Sequence, residues 1–123
     1  MKVLPIISII FSVSVFTVTA AEVELKTAEI KQLVNGNTLV GVHHKKKTVQ
    51  YFSKSGLTLW QAEGDELPSE GQWKVEANKY CSDFGSGWNC YKIVNDEEQE
   101  IYYFMADNFR APFIVQPGYN FKF

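Results

Sequence analysis

The chain has two cysteines, Cys81 and Cys90, and two histidines, His43 and His44, and their spacing limits the chemistry available to it. A structural zinc site wants more thiolate or imidazole ligands at closer intervals, so the cysteines read as a disulfide of an exported chain. Adjacent histidines on a strand point to opposite faces and cannot chelate one ion as a helical pair would. His44, Lys45, Lys46 and Lys47 form a basic stretch that could meet an anionic group such as a lipid phosphate or a sugar acid, or simply keep a hairpin tip soluble. Carboxylates gather at Glu63, Asp65, Glu66 and Glu70 and again at Asp96, Glu97, Glu98 and Glu100. Neither run sets a buried acid against an exposed base, as glycoside hydrolysis needs, and neither has the calcium-loop pattern. Nucleophile elbow, phosphate loop and zinc-protease motif are all missing from the sequence. No catalytic residue, metal site or cofactor is expected.

The aromatic residues are the remaining candidates, at 15% of the chain. Trp73 and Val75 share one face of a strand, which should be its interior. Trp60, Trp88, Tyr51, Tyr91 and Tyr103 could line a cavity or its rim, where rings bind apolar ligands or stack on sugars. Trp88 directly follows the turn Gly85-Ser86-Gly87, a position that favours exposure. Trp88, Trp60, Tyr51 and Trp73 are therefore the expected ligand or partner contacts.

These residues must be positioned by one small domain. Residues 1–20 read as a signal peptide: Lys2 opens it, an apolar run from Val3 to Val18 follows, and small residues allow cleavage after Ala20 or Ala21. The run is too short, and too rich in Ser, Thr and Pro, for a membrane-spanning helix. Residues 21–123 then form the single mature domain. Without Lys2 the basic count falls from 12 to 11 against 14 acidic residues, a net charge of −3. This mild acidity argues against nucleic acid as a partner. The expected location is periplasmic or secreted.

One short helix is readable. Thr27 is its expected N-cap, Glu29 suits the first turn, Ile30, Leu33 and Val34 make an apolar face, and Asn35-Gly36 ends it. From Asn37 onward the pattern alternates with period two. Strands are expected at 38–43, 48–53, 57–62, 72–76, 79–84, 88–94, 101–105 and 109–115. Turn signals separate them about every ten residues, as in an up-and-down antiparallel meander. The expected fold is all-β, about eight strands in a small, squat barrel mostly filled by side chains, the competing picture being an open, strongly curled sheet with the Ile30/Leu33 helix plugging one end. A turn centred on Gly85-Ser86 places Cys81 opposite Cys90. The terminal run Tyr119-Asn120-Phe121-Lys122-Phe123 reads as a final strand or a cover over an open seam. The strands are too short for an outer-membrane barrel.

The segments T-A-E-I-K-Q-L-V-N-G-N-T at 27–38, Y-F-S-K-S-G at 51–56, G-Q-W-K-V at 71–75 and C-Y at 90–91 carry a family likeness. Together they resemble a widespread group of short exported bacterial proteins known as a domain of unknown function, similar in plan to small lipocalin-like, or calycin, barrels. The resemblance implies core and turn roles for Gly71, Trp73 and Val75 and no catalytic residue. The function expected is non-enzymatic binding of a small apolar ligand or of an envelope or secreted protein. A protein inhibitor acting through Gly85–Trp88 is the alternative, and a polysaccharide hydrolase a more distant one.

Overall fold

A computed structural model describes residues 22–123, and the expected signal peptide lies outside them. The elements in chain order are β1 (Glu22–Glu24), α1 (Thr27–Val34), β2 (Thr38–His43), β3 (Lys46–Phe52), β4 (Leu57–Ala62), β5 (Ser69–Glu76), β6 (Lys79–Asp83), β7 (Asn89–Asp96), β8 (Ile101–Ala106) and β9 (Phe109–Gln116). Strands β2 to β9 pair antiparallel in sequence order, and β9 returns to β2, with Leu39 opposite Val115 and Gly41 opposite Phe113. The eight strands thus close into a barrel. Closure pairs the backbone groups that an open sheet would leave exposed at its edges.

Strand β1 adds a ninth. One edge of β7 is shared lengthwise: β6 pairs with Asn89–Tyr91, and β1 takes over at Val94–Asp96. The main chain then continues through the Leu25 N–H bond to the Ile93 carbonyl at 2.8 Å and enters α1. The helix starts one residue earlier than expected, with Lys26 as its cap residue, and the Glu29 carboxylate accepts the Lys26 N–H at 3.0 Å. Thr27 is engaged elsewhere. Its N–H and hydroxyl donate to Asn78 Oδ1 at 2.9 and 3.1 Å, and its oxygen accepts the Asn78 N–H at 2.9 Å. The residue that composition marks as a cap is instead a latch onto the β5–β6 turn.

That latch seats the helix over one end of the barrel. Ile30 and Val34, both fully buried, join Leu25, Phe52, Val75 and Ile93 in the core, with Trp73 and Leu33 packed against it. A helix of two turns cannot stand alone in water, so burial of this face is what holds it. The Trp73 indole N–H donates to the Ser53 carbonyl at 2.8 Å, which satisfies its polar atom inside the plug.

Two hairpins are tighter than glycine-free turns usually allow. His44 and Lys45 both have positive φ, at 48° and 66°, as do Ala77 and Asn78, at 51° and 61°. Positive φ at both central residues is the two-residue turn whose twist matches the flanking strands. The first hairpin is therefore shorter than the 44–47 connection expected from the lysines. His43 pairs with Lys46, so Lys46 and Lys47 belong to β3.

Cys81 pairs with Cys90 across β6 and β7 and forms the disulfide, with Cα atoms 4.0 Å apart. The loop it closes is short, and chain entropy makes its contribution about 2–3 kcal/mol. Residues after β9 follow neither expected course. With β2 and β9 paired there is no open seam, and the segment instead crosses the outer face of the barrel. Thr38 donates to the Gly118 carbonyl at 2.7 Å and accepts the Asn120 N–H at 2.9 Å, while the Tyr119 ring meets Tyr51 edge-on at 4.8 Å.

Candidate functional site

The barrel is plugged at the helix end and hollow at the other. Alternation sends Leu39, Gly41 and His43 of β2 and Thr48, Gln50 and Phe52 of β3 to the inner face. The inner face of β6 carries Tyr80 and Ser82, that of β7 carries Tyr91, that of β8 Phe104, and that of β9 Phe109, Ala111 and Phe113. Phe52 belongs to the plug, whereas all the others named line a cavity of about 350 Å³. A volume of this size lies in the range of small-molecule pockets.

The mouth lies at the end that carries the β2–β3, β4–β5, β6–β7 and β8–β9 connections. His43, Trp60, Ser69, Phe84 and Phe109 stand there. The His43 ring is 5.1 Å from Phe109 and 6.2 Å from Trp60, centroid to centroid, so three rings from β2, β4 and β9 share one side of the opening. Burial lowers the His43 pKa from its ordinary value, and the neighbouring His44 lowers it further. At neutral pH the His43 ring beside Trp60 and Phe109 is therefore uncharged.

Phe84 reaches the cavity because Gly71 has no side chain. A Cβ at Gly71 would stand 2.7 Å from the Phe84 ring and 2.6 Å from the Asp83 carbonyl oxygen. Any larger residue there would displace this wall of the cavity.

The floor is formed by Tyr80, Phe104 and Phe113. Phe104 stacks on Phe113 at 4.3 Å and packs against Tyr80 at 5.4 Å. Tyr80 also meets Phe52 edge-on at 5.3 Å, so the floor of the cavity is the inner surface of the plugged core. One polar group interrupts it. Gln50 donates from Nε2 to Thr58 Oγ1 at 3.0 Å and to Tyr80 Oη at 2.8 Å. Burial pushes the Tyr80 phenol up to about 12, with the Ser82 and Gln50 hydrogen bonds working against that rise by less. Tyr80 is therefore a neutral hydrogen-bonding group throughout the physiological range.

The residues singled out in the sequence go to different places. Trp60 lines the cavity, and Trp73 is packed in the helix-side core. Tyr51 faces outward under Tyr119. Trp88 is 41% exposed on the β6–β7 connection, with the Lys74 ammonium 4.3 Å from its ring centroid. Asp83 Oδ1 shapes that connection by accepting the Gly85 and Gly87 N–H groups at 2.7 and 3.1 Å. His44 and Lys45 occupy the β2–β3 turn, while Lys46 and Lys47 alternate faces along β3, so the four do not converge.

Among the described residues no carboxylate lines the cavity, and no cluster of His, Cys, Asp or Glu could hold a metal ion. No described helix is long and apolar enough to cross a membrane. Sequence reasoning missed Gln50, Tyr80, Phe104, Phe109 and Phe113. The available signal was Gln50, a polar residue on the inward parity of a strand whose other inward positions are Thr48 and Phe52. No family model, curated protein or solved structure matches the chain.

Proposed function

We propose that this is an exported, non-enzymatic binding protein that holds a small apolar ligand inside its barrel. The observation that carries the reading is the cavity itself: an aromatic and aliphatic hollow of about 350 Å³, walled by Trp60, Phe104 and Phe113 and reached past His43 and Phe109. A chain built only for rigidity would fill that space, because packed interiors leave few voids larger than a water molecule. Export is supported by the apolar segment at 1–20 and by the Cys81–Cys90 disulfide, which persists in oxidising compartments such as the periplasm or the medium.

Filling the cavity tests this. Ala111 is buried at the wall, and Ala111→Phe places a ring in the hollow without removing a hydrogen bond. An apolar fluorescent probe should bind the unaltered protein and lose at least about tenfold in affinity to Ala111→Phe, as one badly placed ring in a snug pocket suffices to do. Trp88→Ala, altered on the outside, should bind the probe as the unaltered protein does. Equal binding by Ala111→Phe would mean that the cavity is not the site. Loss of binding in Trp88→Ala alone would put the probe's site on the Gly85–Trp88 loop and not in the barrel.

A further inference from the structure

The polar patch on the cavity floor constrains what the ligand can be. Thr58 spends its hydroxyl hydrogen on the Tyr51 carbonyl at 2.8 Å, so toward Gln50 its oxygen acts only as an acceptor. That orients the Gln50 carboxamide, because Nε2 and not Oε1 must face Thr58. The second hydrogen on the same nitrogen reaches Tyr80 Oη, which makes the phenol oxygen an acceptor in this pair. Both amide hydrogens are then used. The Gln50 carbonyl oxygen is left as an acceptor with no hydrogen-bond partner among the described residues, and the Tyr80 hydroxyl, which also meets Ser82, keeps a hydrogen that it can turn toward the cavity.

Both residues line the cavity, and they are only 7% and 2% exposed. No lysine, arginine, aspartate or glutamate stands with them. A carboxylate seated here would face the Gln50 oxygen with no opposing charge, and an ammonium would face the Tyr80 donor. Either would carry an uncompensated buried charge. A hydroxyl accepts from one partner and donates to the other. The volume amounts to about a dozen waters at liquid density, which sets the ligand's scale at about a dozen heavy atoms.

We propose that the ligand is an uncharged apolar alcohol, its hydroxyl seated between Gln50 and Tyr80 and its hydrocarbon body extending toward Trp60 and the mouth. The proposal rests on the reading of the barrel as a carrier and names the class of molecule carried. The phenol keeps its proton well above neutral pH, so the donor persists throughout the physiological range.

Decanol, decanoate and decane serve as probes, titrated at pH 8 against the emission of Trp60, with Trp60→Phe identifying its share of the signal. Decanol should bind the unaltered protein at least about tenfold more tightly than decanoate. Gln50→Leu and Tyr80→Phe should each weaken decanol by about tenfold while leaving decane unchanged or tighter. Decanoate binding as tightly as decanol would overturn the proposal using the unaltered protein alone, whatever the stability of the variants. An unchanged ratio of decanol to decane affinity in both variants would overturn it too. If decane binds and decanol shows no preference for the patch, the carrier reading survives and only the alcohol is lost. If none of the three binds, both fall.

Discussion

Two residues of the cavity differ in how their protonation bears on binding. Tyr80 sits at the floor and stays neutral, held there by burial. His43 sits at the mouth, and its pKa lies below the ordinary imidazole value of 6.5 because burial disfavours its charged form. A histidine lowered in the folded state binds fewer protons there than when unfolded, so stability is lost as pH falls through about 6.5 toward the folded value and then levels off. Protonation also places a charge beside Trp60 and Phe109. The affinity for an apolar probe should therefore decline on acidification below about pH 6.5. His43→Phe should flatten the dependence over that range, which a binding titration at stepped pH would show. An unchanged slope in His43→Phe would assign the dependence to another group. At this scale the sequence was only partly legible. Period-two alternation says which face a residue takes but not how far along the barrel it sits. Trp60 and Trp73 are both inward, yet one walls the cavity and the other belongs to the plug. Trp88 precedes β7 and has no strand parity to read.

Elements were easier to read, because alternation and turn residues are local signals. The β2, β4, β6 and β9 starts, the Ala77-Asn78 turn and the Cys81–Cys90 pairing follow from the residues themselves. The helix start did not, since Thr27 is used for a contact with Asn78, fifty-one residues away, that no local pattern records. The lysines of the first hairpin suggested a loop, but a two-residue turn with positive φ draws Lys46 and Lys47 into the strand. Ala77 pays for the same geometry in the β5–β6 hairpin, at φ 51° with a Cβ that the left-handed region disfavours. Ala77→Gly should raise stability by roughly 0.5 kcal/mol, the relief of that strain exceeding the extra freedom that glycine adds to the unfolded chain. Urea unfolding measures it, and a destabilised Ala77→Gly would show that the turn is relaxed as it stands. Asn78 is the wrong place for such a change, because its side chain anchors α1.

The whole molecule divides its interior in two. Ile30 and Val34 of α1 fill one end with Phe52, Val75 and Ile93, and the other end keeps a hollow between Trp60, Phe104 and Phe113. Serial strands with short connections were enough to expect a meander of about eight strands. Whether it closed, and how much of it was filled, depended on the β2–β9 pairing and on the depth of the helix, both long-range outcomes. The plug stabilises the barrel and also ends the cavity at Tyr80, so fold and proposed function share one surface. Crystals soaked with a brominated alkane test that division most directly. An anomalous bromine peak is expected inside the barrel, bounded by Trp60, Phe104 and Phe113. A barrel whose walls have closed over that space, or bromine found only on the outer surface, would contradict it.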